Sequence, residues 1–297
     1  MGSGRRLPNL FIIGAMKSGT SSLHEYLHQH PDIFMARMKE PQYFAPHTTR
    51  WGQRWGQGQP YPQPGMQWYL DLFRDAGGAR YAGESSVSYT AVPWVSECEK
   101  RIHAFNPDAR LIYIMRDPVE RALSHYWHFV NDGREDLSPL QAVKRKEEYV
   151  ARSDYVRQLT PYLATFGRDQ IFVLTLEELE AAPAEWMRRI FEWLGVHTDV
   201  PIEIRRFNVG RSRLTQTRRH MVPLDTLLKH WRWKRLERIL PSAVPRALRA
   251  MVHRPVDREA ISTAAAAEYL REVLQPKTRA LSALLGREFP HWRATFP

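Results

Sequence analysis

The chain has 297 residues, of which 43% are hydrophobic, and its formal net charge at pH 7 is +11. This length and apolar content are enough for one large domain with its own core, and we predict a single domain over residues 1–297. No run of about 18 apolar residues occurs, which argues against a membrane-spanning helix. The single cysteine, Cys98, excludes an internal disulfide framework and disfavours thiolate metal sites, so we expect a cytoplasmic protein.

The first predicted strand, Leu10–Ile13, runs directly into the loop GAMKSGT at 14–20 and then into a helix over 21–30. Backbone N–H groups and the helix dipole make such a turn an anion site, and Lys17 adds a full positive charge. A Walker A loop has its lysine directly after the second glycine, whereas Lys17 precedes Gly19 by two positions. This order argues against an ATP or GTP hydrolase. An ordinary Gly/Ser-rich turn is the alternative for the loop alone.

The next elements are short predicted strands at 33–35 and 81–84 and a predicted helix over 91–105. The segment KEPQYF at 39–44 follows the first of these strands, and GESS at 83–86 ends the second. Residues 46–66 are rich in Gly, Pro, Gln and Trp and predict a long loop. This loop either lines a substrate cleft or is a surface excursion.

A second motif follows the predicted strand Leu111–Met115 and reads R-D-P-x-x-R-x-x-S, from Arg116 to Ser124. The planar fork of Arg116 at the strand end suits a phosphate. Pro118 fits the first turn of a helix, which we predict over 119–129. Ser124 lies two helical turns along and offers a hydroxyl on the same side.

The remaining pattern continues the alternation, with helices over 154–166 and 184–194 around a strand at 171–175. Strands that alternate with helices predict an α/β fold in which a central parallel sheet is covered on both faces.

Positive charge is concentrated late in the chain. Residues 205–258 hold 15 Lys and Arg against 3 Asp and Glu, so the rest of the chain is close to neutral. Within this basic segment, KHWRWKRL at 229–236 interleaves cations with tryptophans. It binds an anionic polymer or a membrane surface, or it is a solvated helix whose tryptophans pack inward. No recognised nucleic-acid module is present, so we expect no specific nucleic-acid partner.

The two loop motifs together resemble the two halves of the cofactor site in sulfotransferases that use 3′-phosphoadenosine-5′-phosphosulfate (PAPS). The first is similar to the 5′-phosphosulfate loop and the second to the 3′-phosphate site. The segments KEPQYF and GESSxxY are similar to those of the carbohydrate branch, the heparan sulfate N- and O-sulfotransferases, and of many bacterial relatives. The resemblance covers roughly residues 8–213 and implies a P-loop-like three-layer α/β fold.

The resemblance also implies roles for individual residues. Glu40 would be the catalytic base, with Glu84 as the second choice, and Lys17 would stabilise the leaving group. Several relatives carry a lysine beside the second glutamate, where this chain has Ser85. His24 and His47 are further candidate bases. Cofactor binding falls to Lys17, Ser18, Gly19, Thr20, Ser21, Arg116, Ser124, Tyr155 and Arg211, and no metal is implied.

The expected function is therefore transfer of a sulfuryl group from PAPS to a hydroxyl or amine of a carbohydrate or similar acceptor, either a small molecule or an oligosaccharide. Two alternatives stay open. A P-loop nucleotide kinase or phosphotransferase would bind ATP in preference to PAPS. A non-catalytic protein that binds anionic polymers would keep that binding when Lys17 is replaced.

Overall fold

A computed structural model describes residues 7–45, 65–205, 213–217, 224 and 243–297. Arg211, His47, most of the predicted loop over 46–66, and the segment 229–236 lie outside the described residues.

A five-stranded parallel sheet forms the centre of the fold. Its strands are β1 (Leu10–Gly14), β2 (Ile33–Met35), β3 (Tyr81–Ser85), β4 (Arg110–Met115) and β5 (Ile171–Thr175), in the order β2-β3-β1-β4-β5. Strand β1 pairs in parallel with β3 on one side and with β4 on the other. The predicted parallel α/β sheet is confirmed, and the carboxyl ends of β1 and β4 meet at the point where the strand order reverses, the usual place for a ligand in such sheets.

The helices, in chain order, are α1 (Thr20–His28), α2 (Met66–Asp71), α3 (Cys98–Phe105), α4 (Pro118–Asn131), α5 (Pro139–Arg145), α6 (Glu148–Ala151), α7 (Tyr155–Thr165), α8 (Leu176–Ala181), α9 (Pro183–Leu194), α10 (Ala243–Val252) and α11 (Ala264–Leu285). Strands β6 (Arg213–Thr217) and β7 (His253–Asp257) form a separate antiparallel pair. In the described part of the chain, no helix is long and apolar enough to cross a membrane.

Alternation along β1 divides the core between the two faces of the sheet. Phe11 and Ile13 join a cluster with residues of α3, α7 and α11, whereas Leu10 and Ile12 join a cluster with residues of α1 and α9. All four side chains are fully buried. A strand buried on both faces reads as a continuous apolar run, which is why the sequence identified it.

The helix predicted over 91–105 is wrong in its first half, because α3 begins only at Cys98. Pro93 has no N–H to donate within a helix, and Glu97 adopts a left-handed backbone conformation with φ of 61°. Helix α11 was not predicted at all. Its buried residues recur at helical spacing, from Leu270 through Leu274 and Leu281 to Leu285.

Candidate active site

A cavity of about 910 Å³ opens where β1 and β4 end. It brings together residues from loops that are about a hundred positions apart in the chain. Seven of the predicted site residues line it: Lys17, Gly19, Thr20, Ser21, Glu40, Arg116 and Ser124. Of the other predicted residues that the structure describes, Ser18, Glu84 and Tyr155 do not line it.

The loop after β1 depends on glycine at two positions. A Cβ on Gly14 would lie 2.2 Å from the hydroxyl of Thr90, and Gly19 has φ of 89° directly before α1. The first N–H groups of a helix have no partner within the helix, and Thr20, Ser21 and Ser22 of this turn line the cavity. The local geometry is therefore that of an anion site.

Ser18 belongs to this loop but does not line the cavity. Its side chain is fully buried, and its N–H donates to the carbonyl of Ala15 at 3.2 Å. Its predicted role as a direct phosphate ligand stays a prediction.

Lys17 lies at the cavity wall in a left-handed backbone conformation, with φ of 69°. Burial lowers the pKa of its ammonium group, and the positive charges of Arg116 and Arg121 act in the same direction, whereas Asp132 opposes them. A non-glycine residue with positive φ carries a conformational cost, which is often found at functional sites.

Arg116 leaves β4 at the cavity, and α4 begins two residues later. Asp117 caps this helix by accepting the N–H groups of Val119 and Glu120. The guanidinium of Arg116 forms an ion pair with Glu120 at 3.1 Å and is 28% exposed. The pair is partly exposed to solvent, which weakens it, so an anion of higher charge can compete for the guanidinium.

Tyr155 hydrogen-bonds to the backbone of Arg116. Its hydroxyl donates to the carbonyl oxygen of Arg116 at 2.7 Å and accepts the Arg116 N–H at 3.3 Å. The side chain is 2% exposed. This geometry gives Tyr155 a positioning role, and its predicted direct contact with the cofactor stays a prediction.

Glu40 lines the cavity and has a raised pKa. Its backbone has φ of 58°, its N–H donates to Ser85, and its Oε2 accepts the N–H of Val87 at 2.9 Å. Burial raises its pKa to about 7, against the opposing effects of Lys39, the Val87 N–H and Arg152. A carboxylate with a pKa near the operating pH is suited to general-base work.

Glu84 occupies a different environment. It is fully buried, with Oε1 accepting the hydroxyls of Tyr69 at 3.1 Å and Tyr89 at 2.5 Å, and Oε2 accepting Ser86 at 2.7 Å. Burial raises its pKa to about 7, although these hydroxyl donors lower it and Glu40 raises it further. Three internal donors and no access to the cavity favour a structural role.

His24 is buried, and its Nδ1 lies 2.8 Å from the hydroxyl of Ser85, the last residue of β3. Burial lowers its pKa to about 4, and the charge of Lys39 acts in the same direction.

Lys39 is a cavity residue that the sequence analysis quoted only as part of KEPQYF. Its ammonium group donates to the hydroxyl of Ser21, at the start of α1, at 2.5 Å. Burial lowers its pKa, whereas Glu40 and Glu25 raise it. The sequence could have predicted a place for Lys39 in the site, because its segment directly follows β2. The carboxyl end of β2 lies at the same edge of the sheet as that of β1.

Comparison with known proteins agrees with this geometry. The model of the Sulfotransferase family matches residues 8–200. Heparan sulfate glucosamine 3-O-sulfotransferase 3B1 of Mus musculus is 30% identical over 202 residues, which cover 65% of this chain and 47% of that protein. Carbohydrate sulfotransferase 15 of Mus musculus is 26% identical over 253 residues, covering 65% of this chain and 44% of that protein. The chain thus spans about half the length of the curated relatives it matches.

Among solved structures, a sulfotransferase from Alicyclobacillus acidocaldarius aligns with a TM-score of 0.67 and 28% identity, over 96% of this chain and 98% of that one. The chain therefore belongs to the sulfotransferase family. The resemblance carried by the two loop motifs is confirmed, and the nucleotide kinase alternative loses its support.

Proposed function

We propose that this protein transfers a sulfuryl group from PAPS to a hydroxyl or amine of a carbohydrate acceptor. The observation that carries the proposal is that one cavity is lined by two separate groups of candidate anion-binding residues and by a carboxylate of raised pKa. Lys17 and the start of α1 form the first anion site, and Arg116 with Ser124 forms the second. A nucleotide with phosphates at both its 5′ and 3′ positions fits this donor set.

PAPS supplies an activated sulfuryl group whose S–O bond to the 5′-phosphate breaks as the acceptor oxygen or nitrogen bonds to sulfur. Glu40 takes the proton that the acceptor loses. Lys17 neutralises the charge that grows on the phosphate oxygen as the bond breaks. Most of the rate enhancement then comes from positioning and charge stabilisation by groups already in place.

Lys39 adds a second cation at the reacting end of the cavity. It lies next to Glu40 in the chain and donates a hydrogen bond to Ser21 at the start of α1. A cation between the base and the first anion site suits the non-bridging sulfuryl oxygens.

The acceptor class follows from the relatives, whose names specify heparan sulfate glucosamine and carbohydrate acceptors. An acceptor screen with labelled PAPS tests it, with heparan-type oligosaccharides, neutral oligosaccharides and simple phenols as the three arms. We expect label to transfer to an oligosaccharide. Transfer to phenols alone would contradict the carbohydrate proposal and leave sulfuryl transfer intact.

Two further proposals rest on the sequence alone. The single cysteine fits a cytoplasmic location. The basic segment at 229–236 is a candidate for contact with an anionic polymer or a membrane surface, with a solvated helix as its alternative.

Arg116→Ala should weaken binding of 3′-phosphoadenosine-5′-phosphate (PAP), because a charge-assisted hydrogen bond to phosphate contributes about 1.5–3 kcal/mol. Binding of adenosine 5′-phosphate should change much less, since it lacks the 3′-phosphate. Calorimetric titration with both nucleotides measures the difference.

The matched control for this prediction is Arg110→Ala, at the opposite end of β4 and outside the cavity. Equal affinity of the unmodified protein for the two nucleotides would remove the assignment of a 3′-phosphate site.

A further inference from the structure

The last residues of the chain form part of the cavity wall. His291, Arg293 and Ala294 line the same cavity as Arg116 and Ser124. None of these three was singled out by the motifs, which end at about residue 213. The segment from 289 to 297 therefore adds groups to the site that the two loop motifs do not contain.

Asp117 fixes this segment beside the second motif. Its Oδ2 accepts the N–H groups of Ala294 at 2.9 Å and Thr295 at 3.0 Å, and its Oδ1 accepts the Thr295 hydroxyl at 2.8 Å. The same carboxylate caps α4. Because Asp117 directly follows Arg116 and Ala294 directly follows Arg293, these bonds hold the two arginines' backbones next to each other.

A second anchor acts on the other side of Arg293. The indole N–H of Trp292 donates to Glu177 at 3.1 Å, and Glu177 also accepts the N–H of Asp117 at 2.9 Å. Trp292 is 1% exposed and stacks on Phe289 with ring centroids 4.1 Å apart. It also contacts Tyr155, which holds the backbone of Arg116.

Arg293 adds a cation to this part of the cavity wall, which also carries the carboxylates of Asp117 and Glu177. Asp117 and Glu177 direct their carboxylate oxygens to N–H and O–H donors of residues 292–295. Arg293 is exposed at the cavity, and within the described residues it forms no ion pair, in contrast to Arg116 with Glu120. The planar guanidinium can bind a phosphate through two parallel hydrogen bonds, and the fixed backbone keeps it within reach of the cavity.

We propose that Arg293 binds the 3′-phosphate of the nucleotide together with Arg116 and Ser124, so that the segment from 289 to 297 contributes to the cofactor site. This inference rests on the proposed function, since it assumes a nucleotide with a 3′-phosphate. Asp117 and Glu177 are positioning residues, because they act by fixing the backbone on either side of Arg293.

Calorimetric titration of the full chain with PAP and with adenosine 5′-phosphate tests the proposal. Arg293→Ala should raise the Kd for PAP by about 10- to 100-fold, the range of one charge-assisted phosphate contact. The Kd for adenosine 5′-phosphate should change less than about threefold. Arg279→Ala is the matched control, because it removes the same charge from an exposed position on α11 outside the cavity.

The outcomes separate this inference from the proposed function. If the unmodified protein prefers PAP but Arg293→Ala binds PAP normally, or loses affinity equally for both nucleotides, the role of Arg293 is overturned and the proposed function stands. If the unmodified protein does not prefer PAP, the proposed function fails first. An unchanged melting temperature of Arg293→Ala shows that the loss is not caused by unfolding.

Discussion

Lys17→Ala should lower turnover by roughly a hundredfold or more, with a smaller loss in nucleotide affinity. The positive charge is needed most when the bridging oxygen becomes negative, so its removal raises the energy of the transition state more than that of the bound ground state. Single-turnover rates with labelled PAPS and PAP titration of the same variant measure the two effects separately.

Lys100→Ala serves as the control for Lys17, because its side chain is 67% exposed on α3 and outside the cavity. It should retain normal turnover. Near-normal turnover of Lys17→Ala together with weak PAPS binding would show that Lys17 anchors the ground state only.

Glu40→Gln should reduce turnover by about 10²–10⁴-fold while PAP binding is retained, because the amide keeps the shape of the side chain but cannot accept the acceptor's proton. The pH dependence gives a second test. Since burial raises the pKa of Glu40 to about 7, the unmodified enzyme should gain activity as pH rises through that value and the carboxylate becomes ionised. This acidic limb should be absent from the residual activity of Glu40→Gln.

Glu84→Gln distinguishes the two carboxylates. Three hydroxyl groups donate to the Glu84 carboxylate, so we expect this change to lower the melting temperature. Turnover should fall only to the extent that the fold is disturbed. A folded but inactive Glu84→Gln beside an active Glu40→Gln would move the base to Glu84. If both variants remain active, His47 becomes the better candidate.

Lys17 and Glu40 share a feature that supports their pairing in one site. Both are non-glycine residues with positive φ, at 69° and 58°, and both line the cavity. The surrounding fold holds each of them there against a local conformational cost, as is common where side chains must be aimed precisely. No sequence pattern indicates this, because neither position carries the Gly or Asn that positive φ usually selects.

The five strands and the two phosphate motifs could be predicted because their signals are local. An apolar run such as the one that forms β4 indicates a strand from its own residues alone. Gly19 and Pro118 likewise restrict the backbone only over a few neighbouring residues. The parallel sheet then follows from the alternation of strands and helices. It brings the ends of β1 and β4 together, which is why Lys17 and Arg116 could be assigned to one site from the sequence.

Other parts of the site were decided only by tertiary packing. Glu40 and Glu84 look alike in sequence, yet Glu40 lines the cavity whereas hydroxyls enclose Glu84. The enclosing hydroxyls come from Tyr69 in α2 and from Ser86 and Tyr89, which follow β3. The contact between Asp117 and Ala294 joins positions 177 residues apart. The sequence by itself determined the strands and the chemistry of the two loops, because those depend on neighbours along the chain. Which carboxylate lines the cavity, and the placement of the backbone at Arg293 beside that at Arg116, depend on long-range contacts that form only when the chain has folded.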